Sequence, residues 1–211
     1  MMKLLSATPS PYARKVRIVL AEKGLPFELV TEVPWNADAT TPRYNPLEKL
    51  PVLILDDGEM VYESRLILEW LEIKHPDPAL FPKDPDELLA AKRLEVLADG
   101  VCDACVLLFW ERRRPEDHQS RPWMGRQMRK IEGGLREIAR LVPPGGYCIG
   151  GCFSLGDIAV GSLLGFLSVR FPELDWCQAH PHLADLQARL SERSSFAATV
   201  PVPQSLDPGV V

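Results

Sequence analysis

The stretch Ser-Pro-Tyr-Ala-Arg-Lys, residues 10–15, decides the fold of the first part of this chain. Ser10 is a favoured helix N-cap, and Pro11 suits the first helical position because its missing N–H would be unpaired there anyway. The apolar residues Leu4 and Leu5 lie just upstream, so we predict a strand that ends and leads directly into a helix. The free N–H groups and the positive end of that helix would stabilise a thiolate or carboxylate beside Ser10.

The first third of the chain alternates between strand and helix patterns. Short strands are predicted at residues 3–5, 27–31, 52–55 and 60–62. Asp57-Gly58 predicts a hairpin turn between the last two strands, and Ser64 is expected to cap the helix that follows. The order βαβ followed by ββα predicts an α/β, thioredoxin-like domain with helices on both sides of a small mixed sheet.

A proline-rich segment divides the chain of 211 residues into two parts. Residues 76–85 hold four prolines and cannot continue a helix. Beyond them the apolar periodicity is helical, at residues 86–114, 122–141, 155–169 and 183–190. We therefore predict a thioredoxin-like domain over residues 1–75, a linker over 76–85 and an all-α domain over 86–211.

Composition excludes several classes of protein. A net charge of -5 argues against a nucleic-acid surface, and the longest apolar stretch, residues 158–167, is about half as long as a membrane span. Five cysteines without framework spacing are typical of a reducing compartment. We expect a cytoplasmic protein with no nucleic-acid or membrane partner, no disulfide and no metal site.

The loop before the third strand and the turn after the fourth predict a binding site. Pro51 stands where a strand begins, and a cis Leu50-Pro51 bond would turn the backbone of Leu50 outward to pair with an extended ligand. Ser64 marks a second helix N-terminus suited to an anion, while Glu63 can accept an ammonium group and Lys49 supplies a cation. With the hydroxyl at the first helix, this set fits a short acidic peptide that carries a thiol at its centre.

These motifs, in this order, resemble the cytosolic glutathione transferase family over nearly the whole chain. The likeness is carried by four segments, which are residues 10–12 (SPY), 45–53 (NPLEKLPVL), 63–64 (ES) and 154–157 (SLGD). Residues 35–38 (WNAD) look most like a bacterial branch, and Ser10 indicates a serine-type site. The resemblance implies a homodimeric enzyme with glutathione as co-substrate and a small hydrophobic electrophile as second substrate.

The resemblance also implies a role for each site residue. Ser10 would donate a hydrogen bond to the glutathione sulfur, although the Thr8 hydroxyl lies close enough in sequence to be an alternative. The other glutathione contacts would be the Leu50 backbone before the cis proline Pro51, the pair Glu63 and Ser64 for the γ-glutamyl end, and Lys49 for the glycyl carboxylate. Relatives often carry glycine where this chain has Glu48.

The second-substrate site is expected in the helical half. Trp110, near the end of the first long helix, and Trp123, at the start of the next, are the candidates that the resemblance implies. An aromatic stripe at helical spacing is equally consistent with core packing.

Ser154 and Asp157 form a capping box, with Asp in place of the usual Glu, at the start of the most apolar helix. We interpret this box as structural and expect Asp157 to be buried.

Two other functions are compatible with the same scaffold. A glutathione-dependent disulfide reductase or peroxidase would use the bound thiolate to attack sulfur or oxygen instead of carbon. A non-catalytic module would keep the fold and bind a protein partner.

Overall fold

The computed structural model describes residues 1–207 and contains the predicted α/β domain. Its sheet has four strands in the order β2-β1-β3-β4, namely β1 (Met2–Ser6), β2 (Phe27–Thr31), β3 (Val52–Ile54) and β4 (Met60–Tyr62). Strand β1 is parallel to β2 and antiparallel to β3, which is antiparallel to β4. The mixed sheet confirms the βαβ-ββα order expected from the sequence.

Helices α1 (Pro11–Glu22) and α2 (Ser64–Lys74) belong to the same domain. Apolar residues at helical spacing, Val16, Val19 and Leu20 among them, are buried on one side of α1. The helix ends where predicted, because Gly24 follows it in the left-handed conformation with φ of 63°.

The second half of the chain is helical, as predicted. It contains α3 (Pro85–Arg113), α4 (Arg121–Leu141), α5 (Leu155–Arg170), α6 (Trp176–Ala179) and α7 (Pro181–Ser191). Every residue from Leu155 to Leu167 is buried, as expected for a helix that is apolar on all sides. The short helices α6 and α8 (Ser194–Ala197) have no counterpart in the sequence prediction.

The chain divides into two compact units, one made of residues 1–80 with 192–207 and the other of residues 81–191. The sequence pattern predicts residues 192–207 in the helical domain, whereas the structure groups them with the α/β domain. Two contacts explain this, since Arg193 forms an ion pair with Glu22 at 2.7 Å and the Arg14 guanidinium lies over the Phe196 ring at 5.2 Å. Residues 208–211 of the predicted domain lie outside the described residues.

Candidate functional site

One row of the sheet brings the predicted glutathione-site segments to the same end of the domain. Leu5 pairs with Val52, and Val52 pairs with Tyr62. Strand β1 leaves this row toward Ser10, β3 enters it directly from the cis proline, and β4 leaves it at Glu63. The loops that carry the candidate residues therefore lie at the same end of these three strands.

Ser10 is the N-cap of α1, as predicted, and its side chain is partly exposed. Its oxygen accepts a hydrogen bond from the Ala13 N–H at 3.2 Å, and no residue among 1–207 accepts one from its hydroxyl. The alternative, Thr8, donates its hydroxyl proton to the Val202 carbonyl at 3.1 Å. Of these two hydroxyls, only that of Ser10 has its proton uncommitted and available for a ligand sulfur.

The Leu50–Pro51 peptide bond is cis, as predicted, and Pro51 is buried. Neither the N–H nor the carbonyl of Leu50 forms a hydrogen bond with any of the described residues. A backbone donor and acceptor left unpaired beside a strand can pair with an extended peptide, which is the mode of recognition expected at this loop.

Asn45 shapes the loop that leads to Leu50, a role that sequence reasoning missed. Its buried side chain accepts a hydrogen bond from the Leu47 N–H at 2.9 Å and donates one to the Lys49 carbonyl at 2.8 Å. The Asn-Pro dipeptide was the available signal, because asparagine commonly bonds to backbone two residues on. Lys49 is exposed, and Glu48 has φ of 54°, in the left-handed region that glycine adopts more readily than glutamate.

Glu63, not Ser64, is the N-cap of α2, which corrects the predicted cap. Its carboxylate accepts hydrogen bonds from the Arg65 N–H at 3.3 Å and from the Ser64 hydroxyl at 3.1 Å. Ser64 is buried, while Glu63 is exposed. The two residues predicted to bind opposite charges of one ligand thus form a hydrogen-bonded pair.

The backbone of Glu63 is itself unusual, with φ of 73° and ψ of 128°. A non-glycine residue in such a conformation costs about 1–3 kcal/mol, and strain of this kind clusters at ligand sites. Glu63 directly follows Tyr62, at the end of the strands where Ser10 and the cis proline also lie. This position supports a binding role for the turn.

The two tryptophans lie in the helical unit. Trp110 in α3 is partly exposed and packs edge-on against Phe109, with ring centres 5.3 Å apart. Trp123 lies in the first turn of α4, where its backbone N–H donates to the Ser120 hydroxyl oxygen. Its surface is 41% exposed. Simple core packing therefore does not account for Trp123.

Asp157 is fully buried at the start of α5, as predicted. Its carboxylate accepts the predicted hydrogen bond from the Ser154 N–H at 2.9 Å and a second one from the Cys148 N–H at 2.8 Å. Burial raises the pKa of Asp157 above its ordinary value, although these hydrogen bonds oppose the shift. The Cys148 contact was not predicted because it comes from a loop outside the helix.

Three further observations concern metal sites, cysteines and membrane-spanning helices. No cluster of three or more His, Cys, Asp or Glu side chains placed to hold a metal ion occurs within residues 1–207. The five cysteines are free thiols. The helices in the described part of the chain are too short or too polar to cross a membrane.

Comparison with known proteins identifies the family of this chain. Residues 9–73 match the model of the glutathione S-transferase N-terminal domain, and residues 121–186 match that of the C-terminal domain. The uncharacterized GST-like protein YibF of Escherichia coli is 38% identical over 205 residues, which cover 95% of this chain and 98% of YibF.

Two solved structures are also similar. A glutathione S-transferase of Methylobacterium radiotolerans in complex with glutathione sulfonate is 64% identical, with a TM-score of 0.98 over 100% of this chain and 99% of that one. A glutathione S-transferase of Methylobacillus flagellatus with glutathione bound is 44% identical, with a TM-score of 0.91 over 96% of this chain and 100% of that one. With both domain models matched and relatives aligned over almost its full length, the chain belongs to the glutathione S-transferase family.

Proposed function

We propose that this protein is a glutathione transferase that joins the glutathione thiolate to a small electrophile, with Ser10 stabilising the thiolate. The observation that carries the proposal is the hydroxyl proton of Ser10, which bonds to none of the described residues. It lies at the same end of the strands as the unpaired backbone of Leu50. Family membership and the glutathione held by the Methylobacillus flagellatus relative support it.

The chemistry required of Ser10 is thiol activation. A free thiol has a pKa of about 8.5, and each unit of lowering corresponds to about 1.4 kcal/mol of preference for the thiolate. A hydroxyl hydrogen bond and the positive end of α1 together supply about one to two units. The thiol proton passes to solvent, and the sulfur forms a bond to the electrophilic carbon while a leaving group departs with its electron pair.

The remaining residues hold the two substrates. The Leu50 backbone, presented by Pro51, pairs with the cysteinyl backbone of glutathione. The Glu63–Ser64 pair binds its γ-glutamyl end, and Lys49 binds its glycyl carboxylate. Trp110 and Trp123 wall the second-substrate site.

We also propose a homodimer in a reducing, cytoplasmic compartment. Leu66 and Ile73 on α2 expose 53% and 75% of their surfaces, which is typical of apolar residues that meet a partner. The free cysteine thiols support a reducing compartment, because thiols stay reduced there. Light scattering of the purified chain tests the dimer, since a monomer mass would contradict it.

A titration of the bound thiol tests the transferase proposal. We expect thiolate absorbance in the ultraviolet to give a glutathione pKa about one to two units lower on the protein than in water. In Ser10→Ala, the pKa of the bound thiol should be about one unit higher than in the wild type. Ser120→Ala is the matched control, because Ser120 caps α4 as Ser10 caps α1 and is part of the other unit.

The outcomes distinguish thiol activation from a non-catalytic module. A bound thiol that titrates as in free solution would overturn thiol activation. A chain that is not retained on immobilised glutathione would instead favour the non-catalytic module.

A further inference from the structure

One side of helix α3 is exposed along most of its length. Between positions 89 and 107 its exposed residues follow each other at steps of four and three, and they are Leu89, Arg93, Val96, Gly100, Asp103 and Leu107. This spacing places the residues on a single narrow line, as along the contact line of a coiled coil. We call these six residues the α3 seam.

The α3 seam is apolar for a surface that faces solvent. Leu89, Val96 and Leu107 expose 67%, 55% and 43% of their surfaces. A single exposed apolar residue is ordinary, but these three lie on one strip that is about 27 Å long at a rise of about 1.5 Å per residue. Such a strip indicates a contact with another helix.

Gly100 lies in the middle of the seam, although glycine weakens the interior of a helix. Apart from the backbone of its own helix, a Cβ atom at this position would meet nothing of the described chain within 4 Å. The packing of residues 1–207 therefore does not require a glycine here. The close approach of a second helix would require one.

The α3 seam is complementary to itself when a second copy runs in the opposite direction. A two-fold axis at the level of Ala98 would bring together positions that lie equally far before and after that residue. The pairs are Leu89 with Leu107, nine residues from Ala98, Arg93 with Asp103, five residues from it, and Val96 with Gly100, two residues from it. Each pair is matched in kind, because an apolar residue meets an apolar one, a cation meets an anion and a branched side chain meets a glycine.

We propose that two copies of the chain form a dimer through the α3 seam, with their α3 helices antiparallel. The proposal rests on the homodimer proposed above and not on the transferase reaction. A contact across a two-fold axis occurs twice, so each matched pair contributes two identical contacts. A different protein would not require the seam to be symmetric about its own midpoint, and this symmetry favours a second copy as the partner.

Arg93 can form the ion pair of the dimer and keep its contact within the chain. One of its guanidinium nitrogens donates to the Glu137 carboxylate at 2.7 Å, and 58% of its side chain is exposed. A guanidinium group has five N–H donors, so donors remain for Asp103 of the second copy.

A cavity of about 320 Å³ lies beside Leu89 and Arg93, and its walls include the apolar residues Leu141 and Ile149. The two-fold axis places Leu107 of the second copy next to Leu89. The cavity offers apolar space for that side chain, which burial in the dimer would remove from water.

Sedimentation equilibrium of the full chain, which gives the dissociation constant of the dimer, tests the seam. Gly100→Gln fits its own chain but places a side chain against Val96 of the second copy, so the dissociation constant should rise at least about tenfold. Gly133→Gln is the matched control, because Gly133 is also a helical glycine with open space at its Cβ and lies on α4, outside the seam. It should leave the dissociation constant unchanged.

An exchange of charges tests the antiparallel register. Arg93→Glu and Asp103→Arg should each raise the dissociation constant at least about tenfold, because each places like charges opposite each other twice. The double variant should return to within about threefold of the wild type, since opposite charges meet again. Arg140→Glu is the control, because it puts the same negative charge beside Glu137 from α4 and should leave the dimer unchanged.

The outcomes separate the seam from the dimer itself. Thermal melting verifies that each variant folds, and Gly100→Gln, which should stabilise α3, provides the test even if a charge variant does not fold. A dimer that persists unchanged in Gly100→Gln would overturn the seam and leave the homodimer standing. Weakening by both single charge variants without recovery in the double variant would overturn the antiparallel register. A wild-type chain that is monomeric at all concentrations would overturn the homodimer and the seam together, whereas the titration of the bound thiol decides the transferase reaction independently.

Discussion

Helices α1 and α5 begin in the same way in sequence but differ in what their N-termini can do. Both have a serine N-cap, Ser10 for α1 and Ser154 for α5. The first turn of α1 contains no acidic residue, whereas the third residue of α5 is Asp157, whose carboxylate bonds to the N–H of Ser154. An internal carboxylate uses the positive end of a helix for folding, while its absence leaves that end for a ligand.

Burial separates the two helix starts as well. Ser10 is partly exposed and its hydroxyl proton is uncommitted, but Ser154 and Asp157 are buried. A buried helix start must satisfy its own N–H groups, because water does not reach them. The comparison therefore predicts that changes at Ser10 affect catalysis and that changes at Asp157 affect stability.

The largest effect is expected from Ser10→Ala. Turnover with chlorodinitrobenzene should fall by roughly one to two orders of magnitude, because the thiolate loses a charge-assisted hydrogen bond. The affinity for glutathione, measured by calorimetry, should change little, since the proposed binding mode assigns the peptide backbone and termini of the ligand to other residues.

Loss of the helix cap must be separated from loss of the catalytic hydroxyl. Ser10→Ala should also cost about 1 kcal/mol of stability as a cap. Ser120→Ala makes the same change at α4, so it should lower the melting temperature and leave the pKa of the bound glutathione thiol unchanged. If Ser120→Ala raises that pKa as much as Ser10→Ala does, the catalytic assignment of Ser10 fails.

The next effect, on stability, is expected from Asp157→Ala. The substitution leaves the buried N–H groups of Ser154 and Cys148 without their acceptor. The free energy of unfolding should fall by about 1–3 kcal/mol, which denaturant titration would measure. Burial raises the pKa of Asp157, so the cost of burying the carboxylate offsets part of what its hydrogen bonds contribute to stability.

Turnover of the folded Asp157→Ala protein should stay near that of the wild type. The two measurements on one variant decide its role. Normal stability with a collapsed turnover number would place Asp157 in the active site and remove the contrast between the two helix starts.

The sequence predicted those parts of the site that depend on neighbouring residues. The cap at Ser10 is a local pattern, and the box at Asp157 involves residues three apart. The Cys148 contact comes from a loop nine residues away, and the turn at Asn45 needs its burial to be known. The cap of α2 was misassigned because Glu63 adopts a positive φ that glutamate rarely takes, so Ser64 was the better candidate on propensity alone.

The C-terminal segment shows the limit of such reasoning most clearly. Residues 192–207 contact the α/β unit through partners about 170 positions earlier in the chain, such as Arg193 with Glu22. No periodicity or cap signals a contact at that separation. The bond between Thr8 and Val202, which are 194 positions apart, could not be predicted for the same reason, and it bears on the choice between the two hydroxyls.

The smallest effect is expected from Thr8→Val, which removes that bond while keeping the shape of the side chain. A partly exposed hydrogen bond contributes about 0.5–1.5 kcal/mol. Gln204 still donates to the Glu32 carbonyl, and the Asp207 N–H still donates to Asn36, so the C-terminal segment keeps other attachments. Turnover should therefore change by less than about threefold.

Limited proteolysis of Thr8→Val gives a second measurement on the same variant. Cleavage after residue 200 should become faster, because the segment has lost one of its attachments to the α/β unit. A loss of turnover equal to that of Ser10→Ala, without faster cleavage, would transfer the thiolate hydrogen bond to Thr8. The exposed N-terminus of α1 would then serve catalysis through its dipole alone, and the cap serine would be structural in both helices.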